Sequence, residues 1–201
     1  LLALGLVLSV SLFFCASPLC ALTDEEIASY QNGIGERPLG ERIAFWADKF
    51  VGTPYDPDPL GEYVTKKVIV ADDRGDCMYL SFRSLELALR RTPAEAVSIA
   101  LDRRFIGKGK VDGGVVANYD ERFQYGEDML DSGKWGAEIT ADMGPLTYIK
   151  GTRGRKTVAL VSKREVIKGL KARPHFMDGD FIFFIKSPDK RVADEMVGHV
   201  G

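Results

Sequence analysis

Apolar side chains follow a helical period through the first half of this chain, then gather into short runs bounded by turn residues. Thr23 precedes an acidic, apolar-spaced segment and Glu26 follows three residues later, the reciprocal capping pattern that opens a helix. In LGERIAFWADKFVGTPY, Ile43, Phe45, Trp46 and Phe50 fall near helical spacing, and Gly52 with Pro54 stops the run in a GTPY turn. DDRGDCMYLSFRSLELALRR predicts a helix capped by Asp76, with Met78, Phe82, Leu85 and Leu89 along one face. Cys77 then lies in its first turn. A further start is written in TPAEAVSIALDRRF, where Thr92 caps, Pro93 takes the first helical position and Glu95 closes the pattern.

Between these helices, DPDPLGEY holds too many Pro and Asp residues for regular structure, and VTKKVIV predicts a short strand before the turn ADDRGD. The glycine-rich stretch after Ile106 passes from an irregular loop into a helix near residues 119–132. TVALVSK predicts a strand, KREVIKGLKAR a helix, and DGDFIFFIK a buried strand entered from a turn. Helices first and strands later predict an α+β fold rather than alternating βαβ units. At 201 residues and 45% apolar composition, one core and one domain are expected.

Charge narrows the partners. A net charge of −2 supplies no global field for nucleic acid or an anionic membrane surface. One local bias runs from Lys150 to Arg173, nine basic residues against the single acid Glu165. It reads either as a solvated basic face or as a site for an anionic glycan or phosphate. GTRGRKT lacks the spacing of a phosphate loop.

Residues 1–21 form an uncharged apolar run that ends in Ser-Pro and small residues, the shape of a secretory signal peptide. A spanning helix is the alternative, and Pro18 shortens the run for that purpose. A lipid-anchored cysteine fits less well, because Phe14 and Leu19 precede Cys15 and Cys20 where small residues are wanted. Cleavage near Ala21 removes both of those cysteines and leaves Cys77 without an internal disulfide partner. A lone thiol outside the cytosol is either buried and inert or kept for its chemistry.

A thiol at a helix start faces unpaired backbone N–H groups and the positive end of the helix dipole, which favour the thiolate and could hold a developing oxyanion. Such a nucleophile needs a base, and the chain has two histidines. His175 follows Pro174 near a turn, whereas His199 lies among small apolar residues that suit the start of a buried strand. There is no G-x-S-x-G elbow, no H-E-x-x-H and no cysteine pair for zinc. The carboxylate pairs Asp72/Asp73 and Glu127/Asp128 read as solvated acids in surface turns rather than glycosidase machinery.

Taken together, FVGTPYDPDPLGE, VIVADDRGDCMYL, NYDERFQYGEDML, AEITADMG, DGDFIFF and GHVG resemble, in order, the N-acetylmuramoyl-L-alanine amidase-like branch of the NlpC-type papain-like cysteine peptidases. The resemblance implies a papain-like α+β domain over residues 22–201, with N-terminal helices packed on an antiparallel sheet and a nucleophilic cysteine opening a helix. It matches Cys77 to the nucleophile, His199 to the base and Tyr55 to a tyrosine near the oxyanion position. Arg122 and Tyr125 match a segment near the substrate groove, and Asp76 adjoins the nucleophile. It further implies periplasmic or secreted hydrolysis of the muramic acid lactyl–L-Ala amide, or of a stem-peptide bond, in peptidoglycan fragments. That chemistry runs through a thioester, with no metal or cofactor, no nucleic-acid partner, and no membrane anchor after signal cleavage. Met78, Tyr79 and Gln124 depart from the family's usual residues. The polar residue that orients the histidine is expected on a following strand, so the domain is read as cut short at its C-terminal end. A catalytically inactive muropeptide-binding relative and a papain-like acyltransferase are the competing expectations.

Overall fold

The computed structural model describes residues 21–56, 69–153, 155–172, 176–191 and 195–201, without the side chains of 169–172, and four helices lie among the described residues of its first half. The expected signal segment up to residue 20, most of DPDPLGEY, the strand from Val64 and His175 lie outside the described residues. Helix α1 (Asp24–Ile34) starts with the full reciprocal cap between Thr23 and Glu26. Helix α2 (Leu39–Lys49) follows, then α3 (Cys77–Leu89) and α4 (Pro93–Arg103). Thr92 caps α4 through the Glu95 amide, while the Glu95 carboxylate accepts from the Arg91 amide and the Thr92 hydroxyl. At the other end of α4, Lys134 donates to the carbonyls of Asp102, Phe105 and Gly107, a cation where the helix leaves acceptors unpaired.

Helix α3 is central rather than one-sided. The expected stripe of Met78, Phe82, Leu85 and Leu89 is part of a wider burial that also takes in Tyr79, Arg83, Glu86, Leu87 and Ala88. Packing on several sides leaves α3 no solvated face, so the polar residues that made it read as amphipathic are enclosed. Leu85, Leu87 and Ala88 join Ile27, Ile34, Ile43, Trp46, Phe50 and Ala96 in one apolar cluster. Phe82 joins a second with Phe123, Met129, Val158, Met196, Val197 and Val200.

The later half supplies small antiparallel sheets, giving the α+β class expected. Strands β1 (Val111–Asp112) and β2 (Val115–Val116) form a hairpin where an irregular loop was expected. Gly113 and Gly114, at φ 56° and 82°, make its two-residue turn possible, a conformation residues with a Cβ rarely adopt. The helix expected near 119–132 is split into a 3₁₀ turn, Tyr119–Glu121, and α5 (Gly126–Asp131). Strand β3 (Leu146–Lys150), not foreseen, pairs with the expected β4 (Thr157–Val161). Helix α6 (Lys163–Ala172) precedes β5 (Phe183–Ile185) and β6 (Val197–Val200), which pair with each other. Among the described residues no helix is long and apolar enough to cross a membrane.

Candidate functional site at the start of helix α3

Cys77 is the first residue of α3, half-buried, with the Asp76 carboxylate accepting from the Tyr79 amide as the helix cap at 2.7 Å. The loop that delivers it is clipped to the helix it enters. Asp72 accepts from the Arg83 guanidinium at 2.9 and 3.0 Å and from the Tyr79 hydroxyl at 2.6 Å, and that hydroxyl accepts the Ala71 amide. One layer further, Arg104 grips Glu86 with two bonds of 2.6 Å and donates to the carbonyl of Ile69. Burial and the Asp72 charge push the Tyr79 hydroxyl well above its ordinary range, so it stays protonated and donates. Asp72 is therefore no solvated turn acid, as its sequence context suggested. Enclosure between the loop and α3 makes it the tie that fixes where Cys77 stands.

The expectation of a primed thiolate is corrected. Burial outweighs the amides and pushes the Cys77 thiol above its ordinary pKa, with the neighbouring Asp76 charge adding to the rise. Backbone N–H groups of Val200, Met78 and Cys77 itself work in the opposite direction. The dipole and amides are present, but partial desolvation of the sulfur costs more than they return.

The Val200 amide links β6 to the start of α3. Gly201 and Ile182 exchange both backbone hydrogen bonds, at 2.6 and 3.0 Å, so the adjacent pair Val200–Phe183 is the non-hydrogen-bonded kind. The Val200 N–H accordingly points away from β5, toward Cys77. His199 is the residue immediately before it, and its ring contact is with Phe184, 5.6 Å between centroids at 41°. Both rings are exposed. His199 was expected at the start of a buried strand; it is the third residue of β6 and faces solvent, because the strand is bulged.

That bulge explains the burial pattern. Phe184 faces His199 and Ile185 faces Val197, which leaves Gly198 as an extra residue in β6. Strict alternation would turn Val197 and His199 to the same face. Instead Val197 and Val200 are both buried, with Gly198 and His199 exposed between them. Next to the bulge sits Glu127 of α5, fully enclosed, whose Oε1 accepts the amides of Met196 and Val197 (the latter at 2.9 Å) and, at 3.4 Å, the Thr152 hydroxyl. Glu127 was read as a surface acid. The glycine before it allows the burial: a Cβ on Gly126 would stand 2.5 Å from Val197 Cγ1.

The remaining sequence candidates gather unevenly. Tyr55 is bridged to Gly75, two residues ahead of Cys77, and its side chain is exposed. Asp76 is committed to the cap described above. Arg122 stacks on Tyr119, 3.9 Å from guanidinium carbon to ring centroid, and bonds the Tyr119 carbonyl. Tyr125 precedes Gly126 and carries the Arg153 guanidinium over its ring at 4.3 Å. Arg153 also pairs with Asp128, and Arg155 with Asp131, so the basic bias is partly neutralised by acids of α5. Sequence reasoning missed Phe184 and Glu127 as neighbours of the site; the only cue was their place in the apolar run and in ERFQYGE.

No family model matches the chain, and no curated protein matches it. Two crystal structures of an N-acetylmuramoyl-L-alanine amidase from Bacteroides uniformis share its fold, with TM-scores of 0.55 and 0.54 and identities of 17% and 18%. Each superposition covers 81% of this chain and 79% of the other. A Legionella pneumophila protein assigned to the family DUF1460 overlaps 66% of this chain and 42% of its own length at a TM-score of 0.43.

Proposed function

We propose that this chain is a cysteine-dependent amidase that hydrolyses the amide between the muramic acid lactyl group and L-Ala, or a neighbouring stem-peptide bond, in peptidoglycan fragments outside the cytosol. The observation that carries the reading is the Val200 amide at the Cys77 sulfur, which sets β6, the strand that holds His199, beside the start of α3. The likeness of fold to an amidase of Bacteroides uniformis supports the substrate class.

Chemistry follows from those positions. His199 takes the thiol proton as substrate fills the site, and the sulfur attacks the amide carbonyl. Amides of the first turn of α3 hold the oxyanion. The imidazolium returns its proton to the departing amine of L-Ala, leaving a thioester. Water, deprotonated by His199, then releases the lactyl carboxylate and restores the thiol. In this reading the proton leaves Cys77, whose pKa burial raises, as substrate binds. Tyr55 and Tyr125 would line the approach, and Asp76 would hold the helix start.

The raised thiol pKa also favours a second reading, a muropeptide-binding relative that performs no hydrolysis. Incubation of a muramyl-L-Ala peptide with wild type and Cys77→Ser, scored by release of the free amine, decides between them. Turnover lost by at least ~10³-fold in the variant supports the amidase. Equal turnover in both sinks the thioester route, and binding without product in wild type favours the relative.

A further inference from the structure

The bulge in β6 needs something to hold it. An extra residue in one strand leaves local amides without ladder partners, and a strand free to slip by one residue exchanges its buried and exposed faces. In β6 that slip would carry His199 inward and take the Val200 amide off the Cys77 sulfur. β6 is anchored where the bulge begins. Two consecutive amides, of Met196 and Val197, converge on one carboxylate oxygen of Glu127, which no solvent reaches. Consecutive amides in a regular strand point in opposite directions, so their convergence on one acceptor belongs to the irregularity itself. The other oxygen, Oε2, is buried with no hydrogen-bond partner among the described residues. A buried carboxylate left half-satisfied is costly, and a core that only needed filling would be served by Met or Leu at this position.

We propose that Glu127 is a positioning residue: by binding the amides that open the bulge, it fixes the register in which β6 presents His199 and the Val200 amide to Cys77. The proposal rests on the amidase reading above for its consequence in catalysis, but not for its geometry. It also gives ERFQYGE a role. Tyr125 stands in the same turn, two residues before the acid that anchors the histidine strand.

The experiment compares wild type, Glu127→Met and Glu127→Gln in the full chain. Met keeps the volume and removes the acceptor, while the Gln carbonyl can still receive both amides. In hydrolysis of the muramyl-L-Ala peptide, Glu127→Met is expected to lower kcat roughly 10²-fold with KM within about threefold, and Glu127→Gln to recover most of the loss. In ¹⁵N spectra recorded well below the melting temperature, the amide signals of His199 and Val200 move in the Met variant and return toward wild type in the Gln variant. Unmoved His199 and Val200 signals in Glu127→Met overturn the proposal, as does a kcat equal to wild type. Equal losses in both variants also overturn it. Should wild type leave the peptide intact, the amidase reading fails, and the spectra alone decide the anchoring.

Discussion

Behind helix α3 and in front of it, the protein treats polar groups in opposite ways. Behind, Asp72, Arg83, Glu86 and Arg104 are buried, and their charges are matched in two bidentate ion pairs, with Tyr79 and the Ile69 carbonyl filling further bonds. In front, His199 and Phe184 stand exposed on a two-stranded ribbon. The rear uses polar groups to immobilise the helix; the front leaves the His199 imidazole exposed. Buried pairs of this kind add little net stability compared with apolar packing, but removing one partner is expensive. Their contribution is to fix one arrangement of the loop that carries Cys77.

Four measurements test that division, in falling order of effect. His199→Ala is expected to cut hydrolysis by about 10²–10⁴-fold while the melting temperature stays within a degree or two; a large loss of stability would mean the front is structural after all. Glu86→Ala should act in reverse, lowering unfolding free energy by roughly 3–5 kcal/mol because it strands the Arg104 charge in the core. Chemical denaturation reads this, and the paired replacement Glu86→Met with Arg104→Leu should recover much of it. Alkylation of Cys77 by iodoacetamide should titrate with a midpoint above that of an unstructured cysteine peptide. Since the folded thiol pKa is the raised one, its contribution to stability is complete at neutral pH and falls away as pH climbs through that value, relative to Cys77→Ser. Smallest is Thr92→Ala, which removes the α4 cap at a cost of about 1 kcal/mol and leaves turnover untouched.

Much of the helical half could be read from short-range signals. Thr23 with Glu26 and Thr92 with Pro93 mark helix starts by local chemistry, and the helices begin there. Asp76 as cap of α3 was legible for the same reason. The strands were harder. LTYIK in β3 alternates weakly, and its identity as a strand depends on partners 7 to 15 residues further along the chain. Burial of Asp72, Glu86 and Glu127 could not be inferred, because each is tolerated only through a partner distant in sequence, such as Arg104 or the amides of β6. The thiol pKa failed for a similar reason: the helix start is local, whereas the burial that overrides it arises from the folded surroundings of the sulfur.

A thiol whose pKa is raised by burial also meets oxidants differently from one that ionises freely. The thiolate, not the thiol, attacks peroxides and disulfides, so the burial that raises the Cys77 pKa slows both reactions. Reluctance to ionise thereby guards this sulfur against idle chemistry.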